Sequence, residues 1–466
     1  MLENLQIQNF KGWEDTGTIQ MAPITIFFGT NSSGKSSIGQ FLMMLKQTVE
    51  SSDRKAILYP GDKNSAVQMG SFQEMVFGRN IEKQINFNYA WELVKELKFK
   101  DALSDKKYAA TRIGFNGSIA VQKDQSNKLF MDNFSYVLKK ENQKDVTIGM
   151  EKKSGRKKEY IISCKNYPLK KNQGRVWYHS TPVRFYGFPD EVIFYHQNAQ
   201  FVQSLNLEHE NLFKSIFYLG PLRTKTERLY SWTGVTPESV GYSGENTVSA
   251  MLAARERKIR LDYFYHPFEQ VIAANLKNMG LIDDFKVNPI SEQRQEYEVK
   301  VQTKGSRNWV DLPDVGFGVS QVLPVLVQCF YAPANSIIIM EQPEIHLHPS
   351  AQSLLADVMI DVINSKEDGR DRNIQLIIET HSEHFLKRIQ RRIAEEKVSQ
   401  EKISAYFAKV DRLPAKLEPL EIDLFGNIHN WPINFFGDEM GDVTAHARAA
   451  MDKRIRQMTS QGENKG

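Results

Sequence analysis

The sequence predicts an α/β fold with a mostly parallel central sheet, an antiparallel β lobe and a helical insertion. Three observations predict it. An apolar run, Ile24 to Phe28, gives way to a glycine-bounded loop that opens a helix running to about Val49. From about residue 81 to 200 the apolar period switches to two, as in Ile85, Phe87, Tyr89 and Trp91, which marks strands with one buried face. In the last third, the apolar runs Ser336–Met340 and Ile374–Ile378 alternate with helix-like segments. They have the character of strands buried on both faces of a parallel sheet.

The chain has 466 residues, 41% hydrophobic and 25% charged, ordinary for a folded protein of roughly two or three domain equivalents. No stretch reaches the roughly 18 uninterrupted apolar residues that span a bilayer, so no membrane association is expected. The start, Met1-Leu-Glu-Asn-Leu-Gln6, lacks a cationic then apolar leader. Cys164 and Cys329 imply no disulfide framework. Together these predict a cytoplasmic protein. The net charge of +4 is too mild to establish nucleic-acid binding.

Along the chain, Leu5, Ile7 and Phe10 suggest a first strand and Ile24 to Phe28 a second. The loop between that strand and its helix reads Gly29-Thr-Asn31-Ser32-Ser33-Gly34-Lys35-Ser36-Ser37, a Walker A phosphate loop in the strand–loop–helix setting the motif requires. Its glycines let successive N–H groups line one concave face, and that nest with the helix N-terminus binds phosphate oxygens. Lys35 would reach the outer phosphates, and Ser36 would ligate Mg²⁺. The alternative is a Gly/Ser-rich turn that only caps a helix.

A glycine-punctuated segment, Gly61 to Gly78, carries Gln68 and Gln73. In the period-two region, Asn116-Gly117 and Ser154-Gly155 are expected turns. Its loops are basic, with Lys152, Lys153, Arg156, Lys157 and Lys158 together and Lys170, Lys171 and Arg175 further on. They read as a solvated hairpin tip or as contacts to a nucleic-acid backbone. Residues 202–282 look mostly helical, interrupted by a Gly/Pro/Ser-rich loop from Leu219 to Gly244. Tyr297, Val299 and Val301 then alternate, Lys304-Gly305-Ser306 turns, and Trp309 begins a return strand. Gly316, Gly318, Ser320 and Gln321 end a loop before a helix from Val322 to Tyr331, where Pro324 falls in the first turn. The strand to Met340 ends in Glu341-Gln342-Pro343-Glu344, a helix from Ser350 to Ile363 follows, and the strand to Ile378 ends in Glu379-Thr-His381-Ser382. Ligands of parallel sheets sit at the carboxyl ends of strands, where Lys35, Glu341 and His381 all fall. His346 and His348 lack a zinc-type spacing and read as shaping the loop behind Glu344. Arg223 could serve the phosphate site, nucleic acid or an ion pair. Residues 443–458 are expected to form a last amphipathic helix, and Thr459–Gly466 a polar, disordered tail.

With these motifs in order, the chain resembles an ABC-type ATPase, most closely the RecF/SMC/OLD-like branch. Asn31 to Ser37 resembles its phosphate loop and Phe317-Gly-Val-Ser-Gln-Val-Leu-Pro324 its signature loop. Glu341 to Pro349 resembles its acidic strand end, and Glu379 to Ser382 its switch histidine. Gly426-Asn-Ile-His-Asn-Trp-Pro432 with Phe435-Phe436 resembles the C-terminal element of a subgroup often encoded in anti-phage defence operons. The resemblance implies an ATPase head divided as residues 1–80 (with the phosphate loop), 81–200 (β lobe), 201–290 (helical insertion), 291–440 (signature loop, acidic strand end, switch histidine) and 441–466 (C-terminal helix and tail). It implies ATP and Mg²⁺ as cofactors, the metal held by Ser36 and Glu341 with Gln73 as a further candidate. It implies His381 at the γ-phosphate, and Gly316, Gly318, Ser320 and Gln321 closing in trans over ATP sandwiched in a homodimer or larger homo-oligomer. The family's aspartate–glutamate pair is Glu341-Gln342 here. An amide cannot take a proton from water, so either Glu344 serves as base or turnover is slow. The implied function is a nucleotide-dependent sensor and scaffold controlling a separate effector, such as a nuclease. The alternatives are a DNA-binding repair or recombination ATPase and a transporter subunit, the latter disfavoured by the long insertion.

Overall fold

In the computed structural model of the protein, residues 1–122, 128–153, 159–172, 180–261, 263–291, 294–410, 413–432 and 439–463 are described. A six-stranded sheet holds the strands Ile216–Leu219, Ile337–Glu341, Gln375–Glu379, Ile24–Gly29, Ile403–Lys409 and Lys416–Pro419 in that spatial order. The first five are parallel and the last is an antiparallel edge. Both faces are covered. Phe27, Ile337, Ile339 and Ile377 pack with the helix Lys35–Glu50 and the β lobe. Ile26, Phe28, Ile338, Met340 and Ile378 pack with the C-terminal helices. That two-sided burial is why these strands read as unbroken apolar runs.

The β lobe is an eight-stranded antiparallel sheet. Its long strands are Ile85–Lys100, Lys107–Val121, Leu129–Lys139, Val146–Lys152 and Tyr160–Lys165. The N-terminal strand Leu2–Phe10 belongs to it, with Leu5 opposite Tyr89 and Ile7 opposite Phe87. The sheet therefore runs across residue 80, because the alternation of the first strand matches that of Ile85 to Trp91. At its centre His209 is fully buried between Tyr89 and Tyr136, whose hydroxyls lie 2.8 and 2.9 Å from its ring nitrogens. Burial drives its pKa well below the usual histidine range, so the ring is neutral.

Four expectations need correction. Asn116-Gly117 lies inside the strand Lys107–Val121 rather than in a turn. Gly117 is there for space, since a Cβ would stand 2.8 Å from the Phe87 ring. Residues 201–290 hold the helices Phe201–Lys214, Thr247–Ala253 and Phe268–Asn278, but also the sheet-edge strand Ile216–Leu219 and a hairpin, Lys258–Leu261 with Phe264–Pro267. A four-residue buried strand is too short for periodicity to separate from helix. The helix after the Gly316 loop starts at Phe317, which leaves Pro324 in its interior. The Pro324 ring fills space left by Gly244, where a Cβ would come within 2.7 Å. The last helix spans Glu439–Glu463, so helix replaces most of the expected tail. Among the described residues no helix is long and apolar enough to cross a membrane.

Arg372 fastens the Phe317–Tyr331 helix to the sheet. It is fully buried and donates to the carbonyls of Cys329, Phe330 and Ala332 at 2.6–3.3 Å, the orphan acceptors of a helix C-terminus. Arg372→Met leaves the Cys329 and Ala332 carbonyls without these donors and the Phe330 carbonyl with only a long bond from Arg257, at 3.5 Å. It is expected to cost about 3 kcal/mol, seen as a lower urea midpoint at unchanged slope. A wild-type midpoint would show that other donors replace it.

Candidate functional site

The phosphate-loop strand ends where only glycine fits. Gly29 sits at φ +143, and a Cβ there would stand 2.2 Å from the Ala408 carbonyl oxygen of the neighbouring strand. Gly34, at φ +88, caps the helix Lys35–Glu50. Trp13 packs on it and donates its indole N–H to the Gly34 carbonyl at 3.2 Å and to Ser37 Oγ at 2.9 Å. Asn31 and Ser32 are exposed at the loop tip, Ser32 at φ +62, while Ser33 is buried. Lys35 is turned back onto the loop, with Nζ 2.7 Å from the Thr30 carbonyl, 3.1 Å from that of Gly29 and 3.3 Å from Ser33 Oγ. Burial lowers its pKa against the pull of Glu379. The ammonium is thus held only by neutral acceptors, which phosphate oxygens can replace.

The acidic edge lies beside the loop. Glu341 and Glu379 are register partners at the ends of adjacent parallel strands, and both are buried. Ser36 Oγ donates to Glu379 Oε1 at 3.0 Å, while Glu379 Oε2 has no hydrogen-bond partner among the described residues. Glu341 Oε1 accepts from the Tyr218 hydroxyl at 2.7 Å. Burial and the neighbouring Glu379 push the Glu341 carboxyl up to about 7. Burial also raises Glu379. The structure thus brings Ser36 to Glu379 rather than to Glu341. Glu379 was missed in the sequence, although an acidic residue ending a buried strand two positions before the expected His381 was the available signal. Tyr218 was missed because its strand was not recognised.

Gln342 is half-buried with a left-handed backbone, φ +45, and its N–H donates to the Glu379 carbonyl at 2.8 Å. Glu344 is buried; its Oε1 accepts the His381 N–H at 2.8 Å and its Oε2 has no hydrogen-bond partner among the described residues. Burial raises its pKa. Burial and then Lys35 lower that of His381, which favours the neutral ring. Loop, acidic edge and His381 therefore form one constellation.

The remaining candidates are more dispersed. Gly316 caps the Phe317 helix, and Gly318, Ser320 and Gln321 are its first turns, with Ser320 Oγ bonded to the Phe317 carbonyl at 2.8 Å. Gln73 is exposed on the short helix Phe72–Met75, which a bond from Lys11 N–H to the Met75 carbonyl ties to the hairpin bearing Trp13. His348 caps the helix Pro349–Asn364 by accepting the Ser350 N–H, and His346 is exposed at φ +61. Lys152 lies 3.3 Å over the Phe130 ring, packed on the sheet. Ser154-Gly155, Arg156, Lys157, Lys158, Arg175 and Phe435-Phe436 lie outside the described residues.

A magnesium nucleotide suits what is present: a helix N-terminus, an ammonium on exchangeable acceptors, a serine hydroxyl, and buried carboxylate oxygens without partners. A phosphate loop at the carboxyl end of a two-sided parallel sheet, flanked by an antiparallel lobe, is the architecture of a P-loop ATPase. Residues 1–215 and 245–386 match the family described as AAA ATPase domain. That is well over half of the chain, which therefore belongs to this family. Residues 398–445 match a family described as a protein of unknown function, DUF3696. No curated protein matches the sequence. Among solved structures, similarity extends to an SMC head bound to the C-winged helix domain of ScpA, with TM-score 0.43 and 8% identity over 90% of this chain and 98% of that one. It extends also to an SMC head domain from Thermotoga maritima, at 0.40 and 9% over 90% and 99%. A third is the Smc head with an extended coiled coil bound to the C-terminal domain of ScpA, derived from Pyrococcus furiosus, at 0.37 and 9% over 90% and 96%.

The raised Glu341 pKa has a stability consequence. The folded chain keeps a proton that the unfolded chain releases above its ordinary value of 4.5. The stabilisation is complete below that value and is lost as pH rises through about 7. Urea unfolding without nucleotide is expected to show stability falling from about pH 5 to about pH 8, and Glu341→Gln to be more stable than wild type at the upper end, by on the order of a few kcal/mol. Parallel pH profiles for the two chains would contradict this.

Proposed function

We propose that this ATPase binds ATP with Mg²⁺ and turns it over slowly, as a nucleotide-dependent switch and scaffold that holds or releases a separate effector. The observation that carries the reading is the acidic edge. The position after Glu341 is an amide, and the nearest carboxylate able to act as base is Glu344, buried with one free oxygen. Lys35 and the loop N–H groups neutralise the phosphates. Ser36, Glu379 and Glu341 are the residues that would hold the metal, which when bound would supply charge neutralisation at the phosphates. His381, just past the end of the strand beside the loop, would donate to the terminal phosphate. Glu344, its pKa raised by burial, accepts the proton of the attacking water. Gln342 orients without accepting.

The exposed start of the Phe317 helix, with Phe317 itself 75% exposed, supports a sandwich in which Gly316, Gly318, Ser320 and Gln321 close on a nucleotide held by another copy. Gln73 is proposed as a further metal contact. We place the protein in the cytoplasm in an anti-phage defence system, with a nuclease as the effector. The resemblance of the segment from Gly426 to Pro432 supports that setting. A DNA-stimulated repair ATPase is the second reading, supported by the basic residues of the lobe, among them Lys170 and Lys171.

Lys35→Ala is expected to abolish ATP binding by calorimetry, and retained affinity would remove the central claim. Glu344→Gln should lower turnover about a hundredfold or more while leaving nucleotide affinity within about threefold. Unchanged turnover would take the base role from Glu344. Light scattering with turnover measured with and without DNA separates the two readings. A standing assembly indifferent to DNA fits the switch, and DNA-raised turnover fits repair.

A further inference from the structure

Alternate residues of the lobe strands point away from the core and form rows across the sheet. The middle row reads Gln6, Asn88, Asn116, Ser135, Gly149 and Ser163 in register. Asn116 and Ser163 are exposed, and Gln6, Asn88 and Ser135 half-buried. The rows on either side, from Gln8 to Asn133 and from Asn4 to Thr147, hold no charged residue either. A solvated surface is about a quarter to a third charged, and this chain is 25% charged throughout. Charge depleted at the centre of a patch and kept at its rim is the pattern of a protein interface. The rim is present: Asp15 and Glu151 flank the first of those rows, and Lys165 closes the other.

Amides and hydroxyls both donate and accept, so such a face is complementary to itself. Nucleic acid would require cations, and these rows offer only Lys165, at their end. Part of the face is already ordered, which lowers the entropic cost of docking. Asn88 Nδ2 donates to Gln6 Oε1 at 3.0 Å, and Ser118 Oγ to Asn86 Oδ1 at 2.7 Å. Six strands about 4.8 Å apart and three rows about 6.8 Å apart span roughly 600 Å² per copy. The charged rim brings this near the roughly 800 Å² per partner of a stable interface.

We propose that this face is a contact between two copies of the chain, packed sheet to sheet about a two-fold axis along the middle row. That axis sets each amide of the row against its own counterpart and exchanges the flanking rows, which brings Glu151 toward the partner's Lys165. The contact is separate from the nucleotide site, so nucleotide-bridged pairs can be joined through it into a larger assembly.

The test uses the full chain carrying Lys35→Ala, without nucleotide, so that no nucleotide-bridged contact contributes and failure of that reading leaves this one untouched. Light scattering is expected to show the mass rising from one copy to two as the concentration approaches about 100 µM. Adding Asn116→Arg sets like charges face to face and is expected to weaken association about tenfold or more, at an unchanged urea midpoint. A chain that stays monomeric overturns the self-contact and leaves the face to a different protein. Association that Asn116→Arg leaves unchanged overturns it as well. Should Asn116→Arg lower the midpoint, the charge pair gives the reading by itself. Glu151→Lys is expected to weaken association and a further Lys165→Glu to restore it, and no restoration overturns the two-fold arrangement.

Discussion

Two carboxylates buried side by side at the ends of adjacent strands are the constraint around which this molecule is built. Glu341 and Glu379 are register partners, and desolvated like charges at that spacing cannot both ionise cheaply. The chain manages the cost with hydroxyls, Tyr218 on one and Ser36 on the other, and with the nearby Lys35. These groups come from two separate elements, the edge strand and the first turn of the phosphate-loop helix. Holding the carboxylates in place therefore fixes the mutual position of all of them. A divalent cation is the partner that would relieve the arrangement most.

Such an arrangement needs a sheet that cannot slip, and the two cores provide it. Odd and even residues of each central strand go to opposite faces, so a one-residue shift would exchange the two apolar surfaces. The start of the switch strand is pinned as well. The Gln375 side chain accepts the Leu2 N–H and donates to the carbonyls of Leu2 and Ala22. The lobe's first strand and the switch strand thus share one hydrogen-bonded knot. The lobe itself is organised around neutral His209, which satisfies two tyrosine hydroxyls inside an aromatic cluster.

Much of this was legible in the sequence because the signals were strong and local. The phosphate loop, the strands Ile337–Glu341 and Gln375–Glu379 and the period-two lobe all announce themselves by composition and spacing. What escaped was set by tertiary packing. Asn116-Gly117 has turn chemistry, yet the glycine exists to admit the Phe87 ring. Ile216–Leu219 is four apolar residues with no period to read, and it carries Tyr218 to Glu341. Glu379 stood in plain view, but its nearness to Ser36 follows from the spatial order of strands, which puts the switch strand between the acidic strand and the loop. Sequence order alone does not reveal that neighbour.

The indole of Trp13 touches the phosphate loop at Gly34 and bonds to it there and at Ser37. Because Trp13 belongs to a hairpin of the lobe, the lobe and the loop share a hinge pin that is also a fluorophore. Of the six tryptophans in the chain, this one sits where any rearrangement of the loop must alter its surroundings. The molecule therefore carries an intrinsic optical gauge of the state of its loop.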